Sequence, residues 1–153
     1  MGNRSILAHP GLPEMKDRVN GEVKHRELWR PFAPSLLEEA AGDYLEDYAP
    51  CPFMLVAHRV RPSKAEALVA ATHVDGTVRP QSVSARTNPL YHHLISRFAH
   101  RTGIPAVLNT SFNDRGEPLV MRPQDALRTF WVTGLDVLAI GPFLLRKPKG
   151  RPA

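Results

Sequence analysis

Fifteen prolines are spread along 153 residues, so every regular element has to fit into the short intervals between them. Residues 13 to 28 carry Met15, Val19 and Val23 at four-residue spacing, which predicts an amphipathic helix with a weak point at Gly21. FAPSLL, 32 to 37, follows as a proline-broken extended piece. Ser35 with Glu38 resembles a capping box that opens a short helix through Leu45. FMLVAHRV, 53 to 60, is apolar and partly β-branched, the pattern of a buried strand. HVDGTVRPQSV, 73 to 83, predicts a turn at Asp75 and Gly76 leading into a strand through Val83.

In the second half, Asn88 and Pro89 supply an N-cap and a first-turn proline. The helix they open has Leu90, Tyr91, Leu94, Ile95 and Phe98 on one apolar face and ends at Gly103. IPAVLN, 104 to 109, is the next strand. Pro123 opens another helix with Ala126, Leu127, Phe130 and Trp131 inward and Gly134 at its end, and LDVLAIG closes as a strand. Helices interspersed with short apolar strands predict the α/β class in its mixed α+β form, built as a single layered domain.

No apolar run approaches the roughly 20 residues that span a bilayer, so no membrane partner is expected. Cys51 stands alone and cannot build a disulfide framework or a cysteine metal site within one chain. MGNRSILAHP has no long apolar core behind its charges, and the expectation is a cytoplasmic protein. The net charge of +5 and pI near 9.8 suit an anionic partner, although much of the excess lies in LLRKPKGRPA, 144 to 153, which ends in the basic tail at 148–153.

Three stretches carry candidate chemistry. If the strand before NTSFN continues through Ser111, then Asn109, Ser111 and Asn113 share one face. Such a comb of amides and hydroxyl can bind phosphate oxygens or a carbamoyl-like group, and the same residue types also make turns. Arg79, three residues after Gly76, suits a forked grip on phosphate or carboxylate, or a solvated strand position. KHRELWRPFAP places Lys24, Arg26 and Arg30 within seven residues around Trp29. Those cations fit a nucleotide or an RNA backbone, and equally the negative end of a helix dipole. His73 with Asp75, and the pair His92 and His93, carry no comparable signal for base chemistry or metal binding.

Four stretches in order and spacing resemble one family: GNRSILAHPGLPEMKDRVNGEVKHRELWRPFAPSLL, HVDGTVRPQSV, TGIPAVLNTSFNDRGEPLV and TGLDVLAIGPFLLRK. Over residues 2–147 the chain is similar to the C-terminal domain of NodU/CmcH-type carbamoyltransferases. The resemblance implies a YrdC-like domain, a twisted mixed β-sheet flanked by helices. It implies binding of carbamoyl phosphate and ATP, with Mg2+ accompanying the nucleotide, to form carbamoyl-adenylate. It also implies a partner, an N-terminal ASKHA-type domain that holds the family's metal and passes the carbamoyl group to an acceptor hydroxyl. No metal is expected in this chain.

Matched by motif, the resemblance assigns the site to Lys24, Arg30, Arg79, Ser111 and Asn113, and gives Arg26 no role. The three cations would offset repulsion between two anionic substrates as carbamate attacks the α-phosphate. Ser111 and Asn113 would orient phosphates or the carbamoyl amide. Family members run on upstream with Gly-Pro-Arg-Ala-Leu, whose arginine faces the same substrates, and Met1 stands in place of that leucine. The expectation is a separated half, whether split-gene subunit, remnant or cut piece, that does not complete transfer alone. The alternatives are a nucleotide or double-stranded RNA binding module, with nucleic acid the less favoured partner, and an inactive remnant docking to a partner.

Overall fold

The computed structural model describes residues 2–148, so the basic tail lies outside the described residues except for Pro148. In chain order the elements are β1 (Ser5–Ala8), α1 (Glu14–Arg18) with a π-helical turn (Val19–Val23), and β2 (Ala33–Leu37). After a 3-10 turn (Glu38–Ala40) come α2 (Ala41–Tyr44), β3 (His58–Arg59), β4 (Thr77–Val78) and β5 (Gln81–Val83). The second half holds α3 (Pro89–Thr102), β6 (Ala106–Ser111), α4 (Pro123–Val132), β7 (Val137–Ile140) and β8 (Phe143–Arg146).

The fold is a mixed α/β domain around a twisted mixed sheet in the order β1-β6-β2-β5. β6 is antiparallel to both β1 and β2, and β2 is parallel to β5. The two-residue period of β6 divides the core. Val107 packs with Tyr91 and Ile95 of α3, while Leu108 and, just beyond the strand, Phe112 pack with Val19, Val23 and Phe130. Two smaller antiparallel ribbons, β3-β4 and β7-β8, flank the main sheet.

Proline shapes the central strand without breaking it. Pro34 pairs with Leu108 of β6, whereas the register with β5 begins only at Ser35. The missing N–H therefore falls where β2 has one fewer ladder to satisfy. Both predicted helix ends on α3 hold: the Asn88 side chain accepts from the Tyr91 amide, and Gly103 closes the helix at φ 76°.

Several expectations are corrected. The helix predicted over 13 to 28 stops at Val23, because the π-turn ends in a hydrogen bond from Lys24 N–H to Val19 carbonyl and the chain then turns left-handed at His25. Ser35 is no helix cap; it lies inside β2 with its hydroxyl donated to Gln81 Oε1, and the helical segment starts after Leu37. The run 53 to 60 is strand only at its end, where His58–Arg59 forms β3 and Val60 bridges to Leu45. The chain is anchored to β5 by paired contacts between Cys51 and Ser82, then turns left-handed at Met54, leaving Phe53, Leu55 and Val56 exposed.

The strand predicted through Val83 is two strands in two sheets, parted at Arg79 and Pro80, where proline cannot donate to a ladder. On α3, Leu90 and Leu94 face outward, so Tyr91, Ile95 and Phe98 make the apolar face. Trp131 of α4 is half-exposed rather than inward. The closing strand is the first half of a hairpin with β8.

Gly134 shows how closely α4 approaches the π-turn: its N–H donates to the Glu22 carbonyl at 2.7 Å. A Cβ there would sit 2.7 Å from Glu22 Cβ and 3.1 Å from its carbonyl oxygen. Gly134→Ala should therefore lower stability by about 1–3 kcal/mol through overpacking. Gly42→Ala, with nothing within 4 Å, should be neutral or slightly stabilising in its helix. Urea midpoints of the two variants decide; equal midpoints would contradict the close approach.

Candidate functional site

Where β6 ends, its polar residues meet the loop after the π-turn. The extra residue of that turn carries Lys24 inward, and its side chain is buried, 4% exposed. Its ammonium donates to the Ser111 carbonyl (2.9 Å), Asn113 carbonyl (2.6 Å) and Asn113 Oδ1 (2.6 Å), with Ser111 Oγ at 3.4 Å. Ser111 Oγ donates to the same Asn113 Oδ1, and Asn113 Nδ2 donates to the Glu117 carbonyl. Lys24, Ser111 and Asn113 are thus one hydrogen-bonded unit at the strand end.

In front of that unit lies a cleft of about 560 Å3. Its lining includes Arg79 and Ser111 from the expected set, together with Asn109, Thr110, Phe32, Met54, Arg4 and Arg26. Three arginines and no acidic residue appear among the described lining residues. Arg79, at the break between β4 and β5, is exposed and has no hydrogen bond or ion pair with any described residue. Arg4 is fixed by donation to the Val120 carbonyl at 3.0 Å.

Asn109 belongs to the floor. Its Nδ2 lies within hydrogen-bonding distance of Ser35 Oγ, Gln81 Oε1 and Tyr91 Oη, all buried, and this network joins β2, β5, β6 and α3. Burial pushes the Tyr91 phenol up to about 12, so it acts there as a neutral group.

The structure does not bring Lys24, Arg30 or Asn113 onto the lining; Lys24 is buried behind Ser111. Arg30 is half-exposed, with only a 3.9 Å contact to Glu27, and Asn113 stands behind Ser111. Arg26 occupies the lining instead, and Arg4 joins it. Sequence proximity to Lys24 was the one available signal for Arg26; nothing local marked Arg4, which reaches the site only because β1 pairs with β6. Among the described residues no group of three His, Cys, Asp or Glu side chains is placed to hold a metal.

Burial first, then the charge of Arg26, lowers the Lys24 ammonium from 10.5 to about 8. The unfolded chain keeps that proton up to about 10.5, and the folded chain only to about 8. The cost of burying the charge is fully in force below pH 8, and stability rises with pH between those values. Lys24→Met should lose this rise. The difference in unfolding free energy between wild type and variant should shift toward wild type by on the order of 2 kcal/mol from pH 8 to 10.5, measured by urea titration at each pH. A flat difference would place the Lys24 charge in solvent.

The sequence matches the carbamoyltransferase C-terminus family over residues 1–147. Nodulation protein NolO of Bradyrhizobium diazoefficiens is 53% identical over all of this chain and 28% of its own length. Nodulation protein NolNO of Sinorhizobium fredii is 48% identical over 99% of the chain and 23% of its own length. The 3'-hydroxymethylcephem-O-carbamoyltransferase of Amycolatopsis lactamdurans is 37% identical over 97% of the chain and 28% of its own length. The chain thus spans less than a third of these relatives. A match that covers nearly every residue, the cleft included, makes this chain a member of the carbamoyltransferase C-terminal family.

Proposed function

We propose that the cleft binds carbamoyl phosphate and ATP and forms carbamoyl-adenylate, which another part of a carbamoyltransferase passes to an acceptor hydroxyl. The observation that carries this reading is the lining: Arg4, Arg26 and Arg79 beside Ser111, without an acidic side chain among the described residues. Two anionic substrates repel each other, and fixed cations that are not already neutralised lower that barrier. The cleft's size lies within the range of ordinary small-molecule sites.

Water would cleave carbamoyl phosphate to carbamate and inorganic phosphate, and a carbamate oxygen would then attack the α-phosphorus of ATP and expel pyrophosphate. Arg79 is free to close on the phosphates, and the Ser111 hydroxyl is exposed to orient them. Lys24 and Asn113 support Ser111 from behind, and the Lys24 ammonium adds positive potential. Arg30, off the lining and 3.9 Å from Glu27, would have to leave that contact to reach a bound phosphate. Because the described lining has no carboxylate, Mg2+ in this reading arrives on the phosphates rather than on the protein.

Acceptor chemistry is assigned to the remainder of the longer enzymes. The exposed Phe53, Leu55 and Val56 adjoin Met54 on the cleft wall, which fits a contact with such a remainder.

The purified chain, given ATP and carbamoyl phosphate, should release pyrophosphate and accumulate carbamoyl-adenylate, read by mass spectrometry. It should carbamoylate an acceptor only when the remaining part of a relative such as NolO is added. Arg79→Ala should weaken binding of either anion by about 1.5–3 kcal/mol, the worth of a charge-assisted contact. A wild-type chain that binds neither anion and releases no pyrophosphate would overturn the reading.

A further inference from the structure

Arg26, to which the family resemblance gives no role, is the cation of its segment that lines the cleft. Its guanidinium carbon lies 4.7 Å from the centroid of the Phe32 ring, so one face is stacked. Its Nε donates to Asn20 Oδ1 at 2.6 Å, and one Nη reaches the Pro31 carbonyl at 3.4 Å. The acid one residue away, Glu27, is instead 3.9 Å from Arg30 and 3.8 Å from Arg115. Among the described residues no carboxylate pairs with Arg26. Burial, then Arg30, lowers its guanidinium, as a cation without a counter-ion requires.

Asn20 is fully buried in the π-turn. Its Nδ2 donates to the carbonyls of Leu28 (3.2 Å) and Arg30 (3.0 Å) while its Oδ1 accepts from Arg26. One amide therefore fixes the course of the loop and the direction of the arginine. The chemistry of that acceptor matters. An aspartate at this position would hold the guanidinium equally well, but would neutralise it and lose the two donations to the loop carbonyls.

We propose that Arg26 is an anion-binding residue of the cleft and that Asn20 is its positioning residue, a neutral acceptor that orients the guanidinium while leaving its charge for a phosphate ligand. This rests on the reading of the cleft as an anion site. It gives the arginine a reason to be an arginine. One face stacks on Phe32, Nε is anchored, and the Nη edge remains for a forked contact that lysine cannot make.

The test is calorimetric titration of the purified chain with inorganic pyrophosphate at several salt concentrations. The variants are Arg26→Gln, Arg26→Lys, Asn20→Asp and the double variant Asn20→Asp/Arg26→Gln. Circular dichroism and unfolding midpoints confirm that each is folded. Arg26→Gln should lose at least tenfold in affinity and show a shallower salt dependence than wild type. Arg26→Lys should recover the salt dependence but only part of the affinity. Asn20→Asp should match Arg26→Gln in both readouts, and the double variant should lose no more than either single one. Should Asn20→Asp fail to fold, the two Arg26 variants still decide. Wild-type binding with affinity and salt dependence unchanged in Arg26→Gln would overturn this proposal and leave the anion site standing. Absence of binding by the wild-type chain would overturn both.

Discussion

A buried ammonium held only by neutral oxygens sets the character of this domain. Lys24 reaches two carbonyls, an amide oxygen and a hydroxyl of Ser111 and Asn113, with no carboxylate among those contacts. Hydrogen bonds from a charged donor are strong, but they do not cancel the charge. The lowered Lys24 pKa reflects that residual cost. The lysine therefore does two things at once. It ties the turn after β6 to the loop after α1, and it leaves positive potential behind the exposed Ser111 hydroxyl.

The rest of the structure supplies a rigid setting for that potential. The amide of Asn109 joins Ser35, Gln81 and Tyr91, so three strands and a helix meet in one buried polar network beneath the cleft. Every such group is held by a neighbour, which is the condition for a polar cluster to rigidify a core rather than weaken it. Around this floor the three arginines arrive by separate routes. Arg4 comes with β1, Arg26 from the loop pinned by Asn20, and Arg79 from the break at Pro80 between the β3-β4 ribbon and the main sheet. The result is a cleft whose described lining carries three arginines and no acidic side chain.

Much of the framework was legible in the sequence because its signals are local. Asn88 with Pro89, Gly103 and Pro123 mark helix ends through their own backbone chemistry, and they mark them correctly. The apolar run before Asn109 is a central strand, and it continues through Ser111 as the two-residue comb requires. The failures share another cause. Phe53 to Val56 have strand composition, but a left-handed Met54 and an anchor at Cys51 keep them out of any sheet. Ser35 has the spacing of a cap, but a buried Gln81 claims its hydroxyl from a strand far along the chain. Arg26 and Arg30 are alike in sequence; only Asn20 and Phe32 separate the one on the cleft from the one in solvent. Tertiary partners, not residue types, decide such cases.

Proton uptake on ligand binding tests the central claim most directly, since it reports on the uncompensated charge itself. ATP, whose phosphates are fully ionised above neutral pH, would be titrated into the chain at pH 8.5 in two buffers of different ionisation enthalpy. With Lys24 near 8, a fraction of the protein starts with the amine neutral, and a bound anion restores its proton. The account predicts saturable binding with net proton uptake, and loss of that uptake in Lys24→Met. Binding with no proton exchange, or the same exchange in the variant, would contradict it.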